Sequence, residues 1–148
     1  MAPIVSTIEV SRAPHDVFAY ATDPSRFGEW QKGVVSGSME GKGWSTVGSK
    51  CITTRRIGFA ERPATSELTH IDPPRTWSVH GIDGPIRAIV NVTVEPLDDG
   101  ARSRLTIELD FEGHGIGKLF FPLVVRREAE KGMPTNLHAL KQRLESGG

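Results

Sequence analysis

The sequence predicts an α+β domain in which a curved antiparallel sheet of about seven strands wraps around one long C-terminal helix. Three observations lead to this prediction. Two short helical segments follow the first strand, the second half carries long alternating apolar runs, and the apolar period changes to about 3.6 near residue 116. At 148 residues the chain has the size of one ordinary domain, so we expect residues 1–148 to form a single unit.

Alternation and helix-start chemistry predict the first elements. The segment "IVSTIEV" alternates apolar and polar residues, which is typical of a strand with one buried face. Pro14 suits the first turn of a helix, and Asp23 followed by Pro24 suits the N-cap and first positions of another. We therefore expect two short helices between the first and second strands, the second of them ending near Trp30.

The middle of the chain is almost entirely predicted strand. Four strands come first, separated by turn-rich segments: Val34 to Met39, Val47 to Arg56, Ala64 to Ile71 and Thr76 to His80. Two longer strands, "IRAIVNVTVE" and "RLTIELDFE", flank the hairpin connection "PLDDGA" and place their apolar residues on one face. Val47 is the first residue predicted to point inward on its strand. Several other predicted inward residues are small: Ser49, Cys51 and Thr53 on the same strand, and Ser66 and Ala88 on others.

The long helix and the sheet differ in width, and this difference favours a cavity. From about Ile116 to Glu145 the apolar residues follow the helical period, and we expect Gly132 and Pro134 to kink the helix. Seven strands about 4.8 Å apart make a sheet about 30 Å wide, whereas a helix is only about 10 Å across. The sheet must therefore curl around the helix, and small inward residues leave room between the two.

Composition argues against several classes of function. Lys and Arg number 18, as do Asp and Glu, which removes the usual electrostatic argument for nucleic acid or an anionic membrane as partner. The one cysteine, Cys51, excludes an internal disulfide, and the histidines lack metal-ligand spacing. The N-terminal residues lack the pattern of a secretory signal, and no stretch is apolar enough to span a bilayer. We expect a cytoplasmic protein without metal, cofactor or stable membrane insertion.

Three segments of the chain resemble a known superfamily: "APHDVFAYATDPSRFGEW", "HIDPPRTWSVHG" and "GIGKLFFPLV" with "LHALKQRLE". Together they resemble the START-like, or Bet v 1-like (SRPBCC), superfamily with its helix-grip fold. Within it they are most similar to the polyketide cyclase/dehydrase and lipid-transport group. The resemblance implies a large apolar pocket between the long helix and the inner sheet face, with the two short helices near its edge. Members carry lipids, bind hormones or cyclise polyketides, so the resemblance is more specific for fold than for function.

The implied pocket identifies candidate ligand contacts. Trp30 and Trp77 are the preferred aromatic contacts, and Trp77 shares the inward parity of Val79. Arg55 ends the inward set of its strand, where it either holds a ligand carboxylate or enolate or lies in solvent. His70 shares parity with Ser66 and Leu68; it is either a candidate to move a proton in the pocket or a strand-end histidine beside solvent. The other predicted lining residues are Val90, Phe111, Phe120, Val124, Met133 and Leu137.

Three functions stay open at this point. Binding of a small hydrophobic or amphipathic ligand, lipid-like or polyketide-like, comes first. A polyketide cyclase, aromatase or dehydratase is the alternative; it needs a positioned acid–base group, for which only His70, Arg55 and Tyr20 are candidates. A protein-interaction module is the third, and it predicts an exposed apolar patch and no closed cavity. The sequence leaves open whether the chain is a monomer or a homodimer.

Overall fold

The computed structural model describes residues 3–40, 46–57, 59–83, 86–113 and 117–147, with the backbone alone at 57, 86, 113 and 117–125. Its strands are β1 (Ile4–Val10), β2 (Val34–Glu40), β3 (Lys50–Ile57), β4 (Ala60–Asp72), β5 (Thr76–Gly81), β6 (Ile86–Leu97) and β7 (Arg102–Gly113). Its helices are α1 (Pro14–Ala21), a 3₁₀ helix (Pro24–Glu29) and α2 (Gly117–Glu145).

The seven strands form one sheet in the order β1-β7-β6-β5-β4-β3-β2, and all neighbours are antiparallel. The chain passes from β1 through the two short helices to the opposite edge, and returns strand by strand to pair β7 with β1. The register joins inward side chains across strands, with Trp77 opposite Val92 and Cys51 opposite Ser66. The helix-grip architecture predicted from the sequence is confirmed.

Both short helices start as their sequences dictate. Pro14 occupies the first turn of α1, where its missing N–H has no helical partner to lose. The Asp23 carboxylate accepts a hydrogen bond from the backbone N–H of Ser25 at 3.0 Å and so caps the 3₁₀ helix. Phe27 and Trp30 are thereby held against the sheet, where both are buried.

The second half of α2 fills one end of the molecule. Its apolar side chains are buried against the sheet and α1: Leu137, Leu140 and Leu144. The β1–α1 connection locks this end, because the Arg12 guanidinium donates to the Leu144 carbonyl at 2.6 Å. A cation at the last turn also offsets the negative end of the helix dipole. The helix continues through Gly132 and Pro134, the residues predicted to kink it.

The start of β3 differs from the prediction. Val47, predicted to face inward, is 59 % exposed, and the strand begins only at Lys50. A turn precedes it, closed by the Ser49 N–H donating to the Thr46 carbonyl at 3.1 Å, with Gly48 at φ +96°. A positive φ interrupts extended backbone, so the alternation seen in the sequence does not reach back to Val47.

Candidate ligand-binding site

The inner face of the sheet is buried at one end and accessible at the other. On β6, Val92 and Val94 are buried, whereas Val90 is half-buried although it points to the same face. On β7, Leu105 is buried and Phe111 is half-buried. Val90 and Phe111 therefore keep part of their surface exposed at the end of this face that lies away from the Leu-rich half of α2.

An aromatic cluster borders this face. The rings of Phe27 and Trp30 meet edge to face with centroids 5.9 Å apart, and Phe27 meets Trp77 in the same way at 6.5 Å. Such T-shaped contacts add stabilisation beyond the burial of area. Trp77 lies on the inner face as predicted, opposite Val92. The Trp30 indole Nε1 is buried and has no hydrogen-bond partner within the described structure, so one donor in the cluster is unsatisfied.

The inner face of β3 is polar along its length. Ser49, which precedes the strand, and then Cys51 and Thr53 are all buried, and Arg55 follows at the next inward position. The Ser49 hydroxyl is buried and, among the described residues, has no hydrogen-bond partner. Burying polar side chains in an otherwise apolar interior costs free energy unless their polar atoms form hydrogen bonds. Arg62 on β4 pairs directly with Arg55, so an exposed second cation lies beside Arg55 on the same face.

Arg55 carries a charge that the protein itself does not balance. Its Nη2 donates to the Gln31 side-chain carbonyl at 3.2 Å, and burial lowers the pKa of the guanidinium. All Asp and Glu residues of the chain lie within the described ranges, and none of them forms an ion pair with Arg55. A guanidinium stays protonated at neutral pH even so. Arg55 is therefore a half-buried cation with an amide as its described partner.

The segment that carries Gln31 is fixed from two sides. Gln31 follows the 3₁₀ helix, and its backbone N–H donates to the Phe27 carbonyl at 2.7 Å. The backbone N–H of Lys32 donates to the Asn136 side-chain oxygen on α2 at 3.1 Å. The partner of Arg55 is thus held by the short helix and by α2 together, next to Trp30.

Cys51 has the properties of an inert thiol. Burial raises its pKa to about 11, and the nearby positive charge of Arg55 opposes this only in part. At neutral pH the group is a protonated thiol, and the nucleophilic form is the thiolate. Cys51 thus supplies neither a nucleophile nor a base.

We expect Cys51 to resist alkylation in the folded protein. A pKa raised from 9.0 to about 11 lowers the thiolate fraction near pH 8 by about 100-fold relative to the unfolded chain. Iodoacetamide labelling followed by mass spectrometry, with and without denaturant, measures this ratio. The unfolded chain loses the thiol proton at a lower pH than the folded protein does. The free energy of unfolding therefore falls as the pH rises from 9.0 towards 11. Equal labelling rates in the two states would contradict the buried position of Cys51.

Tyr20, a candidate proton carrier, belongs to a different surface. Its hydroxyl donates to Glu29 Oε1 at 2.9 Å, and burial together with Glu29 raises its pKa to about 12. The Arg26 guanidinium lies 5.1 Å from the centre of the Tyr20 ring. Tyr20 and Arg26 line a groove of about 380 Å³ together with Arg12 and Leu144.

The inward parity predicted for His70 is wrong. A β-bulge separates Leu68, which pairs with Val79, from His70, which pairs with Ser78. The extra residue turns the following side chains to the other face. His70 is consequently exposed, and its Nε2 lies 2.7 Å from the Thr76 hydroxyl.

Comparison with known protein families identifies the family of the chain. The family model described as polyketide cyclase / dehydrase and lipid transport matches residues 1–145. The chain belongs to this family. No curated protein sequence gives a significant match.

Solved structures share the fold of this member of the polyketide cyclase/dehydrase and lipid-transport family. A START superfamily protein from Mycobacterium smegmatis has a TM-score of 0.80 at 13 % identity, covering 100 % of both chains. The Zhui aromatase/cyclase from a Streptomyces species has a TM-score of 0.79 at 14 % identity, covering 97 % of this chain and 93 % of its own. The di-domain ARO/CYC BexL has a TM-score of 0.75 at 17 % identity; 98 % of this chain spans about half, 47 %, of that one. At these identities the likeness establishes the fold.

The remaining predicted contacts of this family member divide into two groups. Met133 and Leu137 are buried on α2 as part of the hydrophobic core. The side chains of Phe120 and Val124 lie outside the described part of the structure. Gln31 was missed by the sequence analysis, because an isolated polar residue after a short helix carries no signal of a distant partner.

Two further findings concern metals and membranes. Within the described ranges, no three His, Cys, Asp or Glu side chains come together as a metal site. In the same ranges, none of the helices has the length and apolar character needed to cross a bilayer.

Proposed function

We propose that this protein binds a small amphipathic molecule, of lipid-like or polyketide-like chemistry, on the concave face between the sheet and α2. The observation that carries the proposal is Arg55, a half-buried cation whose described partner is the neutral amide of Gln31. A ligand carboxylate, enolate or carbonyl oxygen at this position supplies the missing acceptor.

Apolar side chains support the body of the ligand. Val90 and Phe111 are half-buried on the accessible part of the inner face, so a ligand removes their remaining surface from water. Trp30 and Trp77 border the same face, and Met133 with Leu137 forms its floor. Burial of apolar ligand surface supplies most of the affinity in sites of this type, and a few polar groups set the orientation.

The polar groups favour an acceptor-bearing ligand. Arg55 and the Trp30 indole nitrogen are donors only, and the Trp30 nitrogen has no described partner. The two residues are connected through Gln31, which follows Trp30 directly in the chain and accepts from Arg55. A ligand with a carbonyl or acidic end meets these donors, whereas a pure hydrocarbon leaves them unsatisfied.

Catalysis of a polyketide cyclisation or dehydration is the second candidate function. Its support is the fold shared with the Zhui aromatase/cyclase and with the ARO/CYC protein BexL. Such chemistry needs a group that exchanges a proton near neutral pH. Cys51 and Tyr20 have raised pKa values and His70 lies on the outer face, so the described residues favour binding over catalysis.

A matched pair of fluorescent probes tests the binding function. Anilinonaphthalene sulfonate and phenylnaphthylamine share the aromatic body, and only the first carries an anion. We expect both to bind and the sulfonate to bind more tightly at low salt, because its anion reaches Arg55. Native mass spectrometry of protein purified without denaturant adds a second readout, an extra mass that is lost on denaturation. Absence of any bound mass together with no binding of either probe would refute the proposal.

The domain organisation, the compartment and the partners are also proposals. We propose a single domain spanning residues 1–148 that acts in the cytoplasm, where the free thiol of Cys51 is kept reduced. Its proposed partner is the small molecule, without nucleic acid and without metal or cofactor.

A further inference from the structure

The β3–β4 hairpin projects beyond the rest of the sheet. β2 pairs with β3 only as far as Arg55, and β5 pairs with β4 only from Ser66 onward. Beyond them β3 and β4 pair with each other, ending with Ile57 opposite Ala60. On the β3 side the Arg56 N–H still donates to the Gly33 carbonyl, so the hairpin extends chiefly past β5.

The tip combines one apolar ring with cations. Phe59 is fully exposed, the most exposed of the large apolar residues described. Arg56 and Arg62, each three residues from Phe59 along the chain, are exposed. Lys32 is exposed as well, and it precedes the glycine whose carbonyl accepts from the Arg56 N–H at 2.7 Å. Glu61 is the acidic residue between Arg56 and Arg62, and it pairs with Arg56 at 2.9 Å. The tip thus carries a net positive charge although the whole chain is neutral.

We infer that this hairpin tip docks on an anionic lipid surface. An exposed aromatic ring inserts at the level of the lipid head groups, and arginine side chains keep their charge at the phosphates while their stems lie along apolar surface. A fluid interface accepts one ring between cations without any matching shape. A stable protein interface needs about 800 Å² on each partner, which the tip of a two-stranded ribbon does not offer. The lipid surface therefore fits these residues better than a second copy or another protein.

Flotation with lipid vesicles tests the inference. The probe is a vesicle of phosphatidylcholine with phosphatidylglycerol, compared with phosphatidylcholine alone, and no small ligand is added. We expect binding to the anionic vesicles at low salt and its loss at high salt. Phe59→Ala should release most of the bound protein, and Arg62→Gln should weaken binding by about fivefold. Both positions are exposed, so the variants should fold as the parent does.

Two control variants separate the tip from the general surface. Val47 is also exposed but lies at the other end of β3, and Arg75 lies in the β4–β5 turn. Val47→Ala and Arg75→Gln should leave vesicle binding unchanged. Binding that ignores lipid charge, or that falls equally in the control variants, would overturn the inference. So would light scattering that shows a dimer lost in Phe59→Ala, because the ring would then be covered by a second copy.

A labelled variant locates the contact directly. Cys51 is buried with a raised pKa, so a Phe59→Cys variant takes an environment-sensitive maleimide dye at the new thiol. We expect a blue shift of the dye on anionic vesicles, and no shift for the same dye on a Val47→Cys variant. Identical spectra from the two positions would exclude insertion through the tip. The result is independent of the small-molecule site, because no ligand is present.

Discussion

Replacing Gly37 with alanine is expected to lower the free energy of unfolding by about 2–3 kcal/mol. A Cβ on Gly37 would lie 2.2 Å from the carbonyl oxygen of Pro24 and 2.8 Å from its carbonyl carbon. Both are backbone atoms of the 3₁₀ helix, so no side-chain rotation relieves the overlap. The helix that carries Phe27 and Trp30 must move away from β2 instead. Urea denaturation followed by circular dichroism measures the loss.

Gly132 provides the matched control within the same chain. A Cβ added there meets nothing within 4 Å, and the position lies inside α2. Gly132→Ala should therefore raise the free energy of unfolding by about 0.5–1 kcal/mol, through lower backbone entropy in the unfolded state. The two substitutions add the same methyl group and are expected to have opposite signs. Equal effects at both glycines would show that the 3₁₀ helix does not rest on β2 as described.

Gly37 also connects stability to the candidate site. The 3₁₀ helix holds Trp30, and the residue after it, Gln31, is the partner of Arg55. A displaced helix separates that amide from the guanidinium. We therefore expect Gly37→Ala to weaken binding of anilinonaphthalene sulfonate as well, whereas Gly132→Ala leaves it unchanged.

The strand faces could be predicted because a period of two leaves a clear trace in sequence. The alternation in β6 and β7 assigned Val92, Val94 and Leu105 to the inner face, and all three are buried. The bulge before His70 had no such trace, since one inserted residue changes the register without changing composition. The turn at Gly48 likewise ended a pattern that looked continuous.

The site was predictable only in part, for a similar reason. The position of Arg55 on the inner face followed from its parity, but its burial and its contact with Gln31 depend on a chain crossing 24 residues away in sequence. Total charge was a poor guide too. A neutral chain concealed a cationic hairpin tip, because Glu61 is the one carboxylate between Arg56 and Arg62. Which charged residues lie at the tip depends on where the pairing of β2 with β3 and of β4 with β5 ends.

Replacing Arg55 with leucine should separate binding from stability. The guanidinium is desolvated without an ion-pair partner in the described structure, so an apolar side chain in its place should leave the free energy of unfolding within about 1 kcal/mol of the parent. Affinity for anilinonaphthalene sulfonate should nevertheless fall by about 30-fold or more, because its anion loses a charged partner in a half-buried site. Affinity for uncharged phenylnaphthylamine should stay the same. Fluorescence titration measures the affinities for the two probes, and urea denaturation measures the free energy of unfolding.

Arg56 is the control for this experiment, since it is the next residue of β3 and points to the opposite face. Arg56→Leu removes the same charge at an exposed position, where its pair with Glu61 contributes little. We expect no change in the affinity of either probe. If the two arginine variants weakened sulfonate binding equally, the anion would be attracted by the surface charge of the hairpin rather than bound on the concave face. If only Arg55→Leu weakened sulfonate binding and phenylnaphthylamine binding were unaffected, the acidic end of the ligand would lie at Arg55 and its apolar body on the neighbouring aromatic cluster.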